Sequence, residues 1–289
     1  MMKTINHYLL LLALLLSTGV LYAAAPSGYY KSAEGLSEKA LLQKLCGIIS
    51  ANYHDVGYKG LWNVYEDSDV HPETGKIWDM YSTKDWPLNF PTCGNYGTVG
   101  DCINREHSFP KSWFNDASPM VSDAFHIYPT DGKVNGQRSN FPYGECANGK
   151  TLSGPGSIKG LGKLGTSTFP GYSGTVFEPV DEYKGDFARS YFYMATRYND
   201  RFASFHSDML AGNNYPCYKT WALNLLLKWH RQDPVSKKEI TRNDAVYKHQ
   251  RNRNPFIDHP ELDEYIWGDL KGNPWQEGGA IVVPTLTSP

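Results

Sequence analysis

Apolar residues recur at helical spacing from Ser37 to Ala51, where Ala40, Leu41, Leu42, Leu45, Ile48 and Ile49 mark one face and Ser37 stands where an N-cap belongs. The spacing predicts a packing helix. A second helix is predicted between Val180 and Arg197, opened by Glu178-Pro179, with a Tyr, Phe and Met stripe that reads as core and not as a cofactor box. A third runs from about Lys219 to His230, with Trp221, Leu225, Leu226 and Trp229 along one face and Asp233-Pro234 closing it. A fourth spans Lys237 to Arg251. By contrast, Tyr53 to Pro91 is rich in Trp, Tyr, Gly, Asp and Pro without a sustained period. It reads as short strands and loops, with Asp67, Asp69 and Asp79 solvated or turn-forming. Helices mixed with short strands make the expected fold class α+β.

One apolar block has a different meaning. Lys3, the run from Tyr8 through Leu16 and the small-residue exit Leu21 to Pro26 have the order of a secretory signal peptide. Ser17, Thr18 and Gly19 interrupt the run before it reaches the roughly 20 residues that a membrane span needs. Residues 1–24 are therefore expected to be removed on export, to the periplasm or beyond the cell. Residues 25–289 carry no repeat, low-complexity linker or second apolar span, and read as one domain and a monomer.

Composition narrows the class. Hydrophobic residues make up 40% of the chain and charged ones 20%, which is globular and not disordered. A formal charge of −2 offers no global steering toward a polyanion, so a nucleic-acid partner has to be held by local basic patches. The most basic stretch carries Arg242, Lys248, His249, Arg251 and Arg253, and it reads equally as a solvated helix face or as a phosphate-backbone contact. In an exported chain, Cys93 and Cys102, joined by a Gly-rich loop, are the natural disulfide among five cysteines. The odd count leaves at least one thiol free among Cys46, Cys146 and Cys217. Cysteine spacing gives no zinc motif.

Chemistry concentrates in Arg105-Glu106-His107-Ser108-Phe109-Pro110 and in Asp131 to Asn140. Hydrolysis of a phosphodiester needs an activated water and a positive centre on the phosphoryl oxygens. His107 is the candidate general base. Glu106 and Asn135 supply oxygen ligands of the kind hard Mg²⁺ prefers, with Mn²⁺ or Ca²⁺ as substitutes. Arg138, three residues past Asn135, would project from the same helix face toward the same phosphate. Asn140, Lys248, Arg251 and Arg253 complete the expected substrate contacts.

Adjacent strand residues point to opposite faces, so placing Glu106 and His107 in one site predicts a bulge or twist. Otherwise a carboxylate such as Asp123 or Glu145 would complete the ligand set. Asn135-Gly136 has a hairpin reading, but its flanks lack alternating hydrophobics, and Thr130 or Asp131 can cap a short helix there. Gly132 and Gly136 would weaken that helix by about 1 kcal/mol each. Such a cost suggests that backbone, metal or substrate approaches closely.

Asn104 to Phe114, Asp123 through Ile127, Pro129 to Gly132 and Asn135-Gly136-x-Arg138-Ser139-Asn140 resemble the endonuclease I family of secreted and periplasmic nucleases. The resemblance continues through Phe177-Glu178-Pro179, Lys184 to Arg189 and Asn252 to Glu261, nearly the whole exported chain. It implies a ββα-metal, or His-Me finger, core in which a hairpin bears His107 and a following helix bears Asn135. It further implies that Glu106 and Asn135 hold one Mg²⁺, that Arg138 binds substrate or anchors the helix, and that DNA and often RNA are cut to 5′-phosphate products. One departure stands out: Phe125 occupies a position where the family usually has His, which leaves His126 as a supporting or structural residue. Two rival functions are a non-catalytic extracellular module binding nucleic acid or carbohydrate through Trp and Tyr, and a phosphodiesterase for small substrates. The Glu106, His107 and Asn135 set argues against the first, and the basic stretch against the second.

Overall fold

The computed structural model describes residues 25–89 and 91–279. The expected signal peptide lies outside the described residues. Among those residues no helix is long and apolar enough to cross a membrane.

Periodicity located four helices closely. α1 (Glu38–Ser50) buries Leu41, Leu42, Leu45 and Ile49, and Ser37 holds the N-cap position, although its hydroxyl makes no capping bond. A helix was missed between Tyr53 and Pro91. There α2 (Gly57–Ser68) buries Leu61, Val64, Tyr65 and Ser68, an i, i+3, i+4, i+7 set too short to stand out from the irregular segment behind it. Asp69 and Asp79 are not solvated. Arg242 Nε donates to Asp69 at 2.9 Å, and Asp79 accepts from the Ser82 hydroxyl, the Trp86 indole and the backbone N–H groups of Tyr81 and Asp131. Burial pushes the Asp79 carboxyl up to about 6. Asp67 is exposed and pairs with His249 at 2.7 Å.

Two strands carry the chemistry of the Arg105 to Pro110 segment and its neighbour. β1 (Ile103–His107) and β2 (Ile127–Asp131) form a two-stranded antiparallel ribbon. β2 runs directly into α3 (Gly132–Arg138), where the Asp131 carboxylate accepts from the N–H groups of Lys133 and Val134. Asn135-Gly136 thus sits within a helix and not at a hairpin turn. The Cys93–Cys102 disulfide is formed, with Cα atoms 5.3 Å apart. It explains both glycines: a Cβ on Gly132 would strike Cys93 Sγ, and one on Gly136 would strike the Tyr96 hydroxyl. What approaches α3 so closely is the disulfide loop. Cys46, Cys146 and Cys217 are free thiols.

A second, three-stranded antiparallel sheet contains β3 (Lys150–Thr151), β4 (Lys163–Thr166) and β5 (Thr175–Glu178). It leads into α4 (Lys184–Arg197), whose residues are buried from Gly185 through Thr196. α4 is the central helix, packed against α1 and against α5 (Thr220–Gln232). α6 (Lys237–Gln250) starts with a complete capping box, Ser236 and Glu239, and lies on α2. The short helices α7 (Pro255–Asp258) and α8 (Leu262–Ile266) follow. Helices segregated from short antiparallel strands are the α+β class that the sequence implied.

Candidate active site

A cleft of about 340 Å³ opens where the ribbon meets α3. Four consecutive β1 residues, Asn104 to His107, line it, so it follows the edge of β1 that β2 does not cover. Tyr58 closes one side, and Asn135 faces across from α3.

The expected bulge is absent. The register runs Ile103↔Asp131 through His107↔Ile127 without an extra residue. A site along a strand edge is reached from both faces of the strand, so ordinary alternation suffices. Glu106 turns to the side where Arg138 Nη1 and the Tyr81 hydroxyl both donate to its Oε1, at 2.5 and 2.9 Å. Its Oε2 has no hydrogen-bond partner among the described residues. Burial raises the Glu106 carboxyl above its ordinary value, with Arg138 acting in opposition.

His107 turns to the other side. Its Nε2 lies 3.2 Å from the Val121 carbonyl oxygen. A carbonyl only accepts, so Nε2 carries the proton and Nδ1 holds the lone pair. Tyr58 stacks on the imidazole, with centroids 5.8 Å apart at 24°. Burial holds this imidazole well below its ordinary pKa, and nearby His126 pushes the same way, so the ring is neutral at neutral pH. Asn135 is half-buried in the cleft wall, and its amide makes no hydrogen bond to the described residues.

A family profile described as Endonuclease I matches residues 37–261. The chain belongs to the Endonuclease I family. It is 36% identical to an extracellular ribonuclease of Bacillus amyloliquefaciens over 244 residues, 83% of this chain and 78% of the relative. An extracellular ribonuclease of Bacillus subtilis (strain 168) is 35% identical over 247 residues, again 83% and 78%. An extracellular deoxyribonuclease of Aeromonas hydrophila is 30% identical over 139 residues, 48% of this chain and 50% of the relative. Membership makes this Endonuclease I protein a nucleic-acid hydrolase, and nucleases of the family are metal-dependent.

The residues present fit a hard cation. Glu106 Oε2 and the Asn135 amide oxygen are two oxygen donors on one cleft with no hydrogen-bond partner among the described residues, which suits an ion that keeps most of its coordination for water and substrate. Among the described residues no three His, Cys, Asp or Glu side chains cluster as a closed metal cage.

Several expected site residues lie elsewhere in this Endonuclease I chain. Arg138 is fully buried, and besides Glu106 its guanidinium donates to the carbonyls of His107 and Ser108 and to the Tyr191 hydroxyl. Of its two sequence-level roles, its contacts describe the anchoring one. Arg253 is buried between Asp244 and Asp258. Lys248 and Arg251 are exposed but line a different cavity, with Tyr29 and Tyr247. Asn140 stands on the rim of the cleft.

Neither alternative carboxylate lines the cleft. Asp123 is buried under the hydroxyls of Tyr193 and Tyr198, and Glu145 pairs with Lys228. His126 donates from Nε2 to the Met120 carbonyl at 2.7 Å, and burial lowers it to about 4, in keeping with a structural part. Sequence reasoning passed over Tyr58, Tyr81, Arg105 and Lys111. Arg105 and Lys111 line the cleft, and Arg105 packs over the Tyr58 ring at 3.5 Å. Both cations sit inside the Asn104 to Phe114 stretch that holds His107, and that position was the available signal.

Proposed function

We propose that the protein is a secreted or periplasmic endonuclease of low sequence preference, acting as a monomer on DNA and RNA through a ββα-metal core made of β1, β2 and α3. The observation that carries this reading is the His107 Nδ1 lone pair, held on the same cleft as two oxygen donors that lack a hydrogen-bond partner among the described residues. His107 Nδ1 takes the proton of the attacking water. Glu106 and Asn135 would hold Mg²⁺, which supplies positive charge to the phosphoryl oxygens in the transition state. Arg105 and Lys111 attract the flanking phosphates, and Tyr58 keeps the imidazole plane in place. The action on both nucleic acids is supported by relatives named as a ribonuclease and as a deoxyribonuclease.

Supercoiled plasmid and ribosomal RNA should both be cut in Mg²⁺, with 5′-phosphate ends. EDTA should abolish cleavage of both, and added Mg²⁺ should restore it. Activity that survives thorough chelation removes the metal from the reading.

The disulfide carries its own expectation. Cys93 and Cys102 close a loop of sequence separation 9 that packs on α3 beside Asn135. A loop of this size stabilises by about 2–3 kcal/mol in the chain-entropy account. Dithiothreitol, or alanine at both cysteines, should lower the urea midpoint and the cleavage rate together. Such a nuclease would be held back in a reducing cytoplasm before export. Equal rates with and without reductant would remove that protective role.

A further inference from the structure

A second cavity, of about 520 Å³, adjoins the His107 cleft. Ser112 and Asn140 wall both, and their side chains are bonded at 3.3 Å. A strand leaving the cleft on this side crosses a partition only one side-chain pair thick.

The two cavities differ in charge. The cleft has Arg105 and Lys111 for phosphates. Among the described residues the neighbour has no Lys or Arg in its wall, and it carries the carboxylate of Asp208. A carboxylate repels phosphate, so the part of a polynucleotide that suits this space is the uncharged one, base and sugar.

Its walls are built for that part. Tyr172 lies flat on Trp221, with centroids 4.3 Å apart at 5°. Tyr172 lines the cavity and Trp221 does not, so the indole backs the phenol ring, while Gly174 packs over the hydroxyl end of that ring. The Tyr172 hydroxyl donates to Asp208 Oδ2 at 2.8 Å, and Trp221 Nε1 donates to the Asp208 carbonyl. Both bonds fix the aspartate, while its Oδ1 has no hydrogen-bond partner among the described residues. A ribose hydroxyl is a donor of the right kind for that oxygen.

We propose that this cavity is a ribonucleoside subsite next to the scissile phosphate, in which Tyr172 stacks on the base and Asp208 Oδ1 accepts from the ribose 2′-hydroxyl. The proposal rests on the nuclease reading and deepens it. Tyr172 serves RNA and DNA alike, whereas Asp208 favours RNA, because deoxyribose lacks the donor.

Binding is measured in the His107→Ala background by fluorescence anisotropy, with a short labelled single-stranded RNA and a DNA of the same sequence. Tyr172→Leu should weaken both by about tenfold, the scale of a lost base–aromatic stack. Asp208→Ala should weaken RNA by about tenfold, as expected for a lost hydrogen bond to a charged acceptor, and leave DNA unchanged. Thr175→Trp, at the exposed start of β5 on the cavity rim, should block both without disturbing the stack, and it carries the test if Tyr172→Leu fails to fold. Unchanged affinity in Tyr172→Leu and Thr175→Trp overturns the subsite. An equal loss for RNA and DNA in Asp208→Ala overturns the sugar assignment. Wild-type cleavage of plasmid and RNA is scored separately: cleavage with unchanged affinities sinks the subsite alone, while no cleavage of either sinks the nuclease reading and the subsite together.

Discussion

His107→Ala is expected to lower plasmid cleavage by roughly 10²- to 10⁴-fold, the range for loss of a general base, with the thermal midpoint close to wild type. The imidazole contributes little to the core beyond its contacts with Tyr58, Phe114 and His126. Its Nε2 bond goes to the carbonyl of half-buried Val121, in the single turn Met120–Ser122. What is lost is the lone pair at Nδ1. Because the vacated space opens to the cleft, added imidazole should recover a fraction of the rate, which a purely structural histidine would not allow. Nicking at the wild-type rate would show that another group takes the proton.

Arg138→Ala should act on stability instead. Its guanidinium bonds Glu106, the carbonyls of His107 and Ser108 and the Tyr191 hydroxyl, and it packs on the Tyr143 ring at 4.5 Å. Removing it leaves a carboxylate that is 2% exposed without its counter-charge and takes the guanidinium donor from the His107 carbonyl, while the Ser108 carbonyl keeps its bond from the Tyr191 hydroxyl. Breaking a buried pair in this way costs about 3–5 kcal/mol. For a domain of this size that is a fall of roughly 10 °C in Tm. Arg138→Lys should recover only part, since an ammonium cannot reach four acceptors in a plane. Adding Glu106→Gln to Arg138→Ala should restore some stability by removing the stranded charge. A melting curve for Arg138→Ala that overlays the wild type would rule out the anchoring role.

The sequence revealed much of this, and unevenly. α1, α4, α5 and α6 were legible because each places a long apolar face on a continuous core. α2 was not legible, since its apolar set covers little more than two turns and the segment that follows, to Trp86, pairs only through isolated bridges. His107, Glu106 and Asn135 do share one cleft, a grouping suggested by the reaction's needs and by family resemblance. The fate of the arginines was hidden in partners far along the chain. Arg138 meets Tyr191, and Arg242 meets Asp69, 173 positions away. The basic stretch at 248–253 looked uniform, but α6 ends at Gln250 and Arg251 takes a left-handed φ of 62°. Lys248, still on the helix, and Arg251 at the turn face outward, and beyond the turn Arg253 runs inward to its two aspartates.

The unbroken pairing of Ile103 to His107 with Asp131 to Ile127 has a bearing on how this nuclease could have changed over time. With no bulge to absorb a length change, the strand behaves like a reading frame of period two. Losing one residue between Ile103 and Glu106 would exchange the outlook of acid and base in a single step, whereas substitutions at those positions leave it intact. Related chains built on the same ribbon would therefore vary in the letters of the strand but hardly ever in its count, and tolerated insertions would gather in the loops beyond its ends.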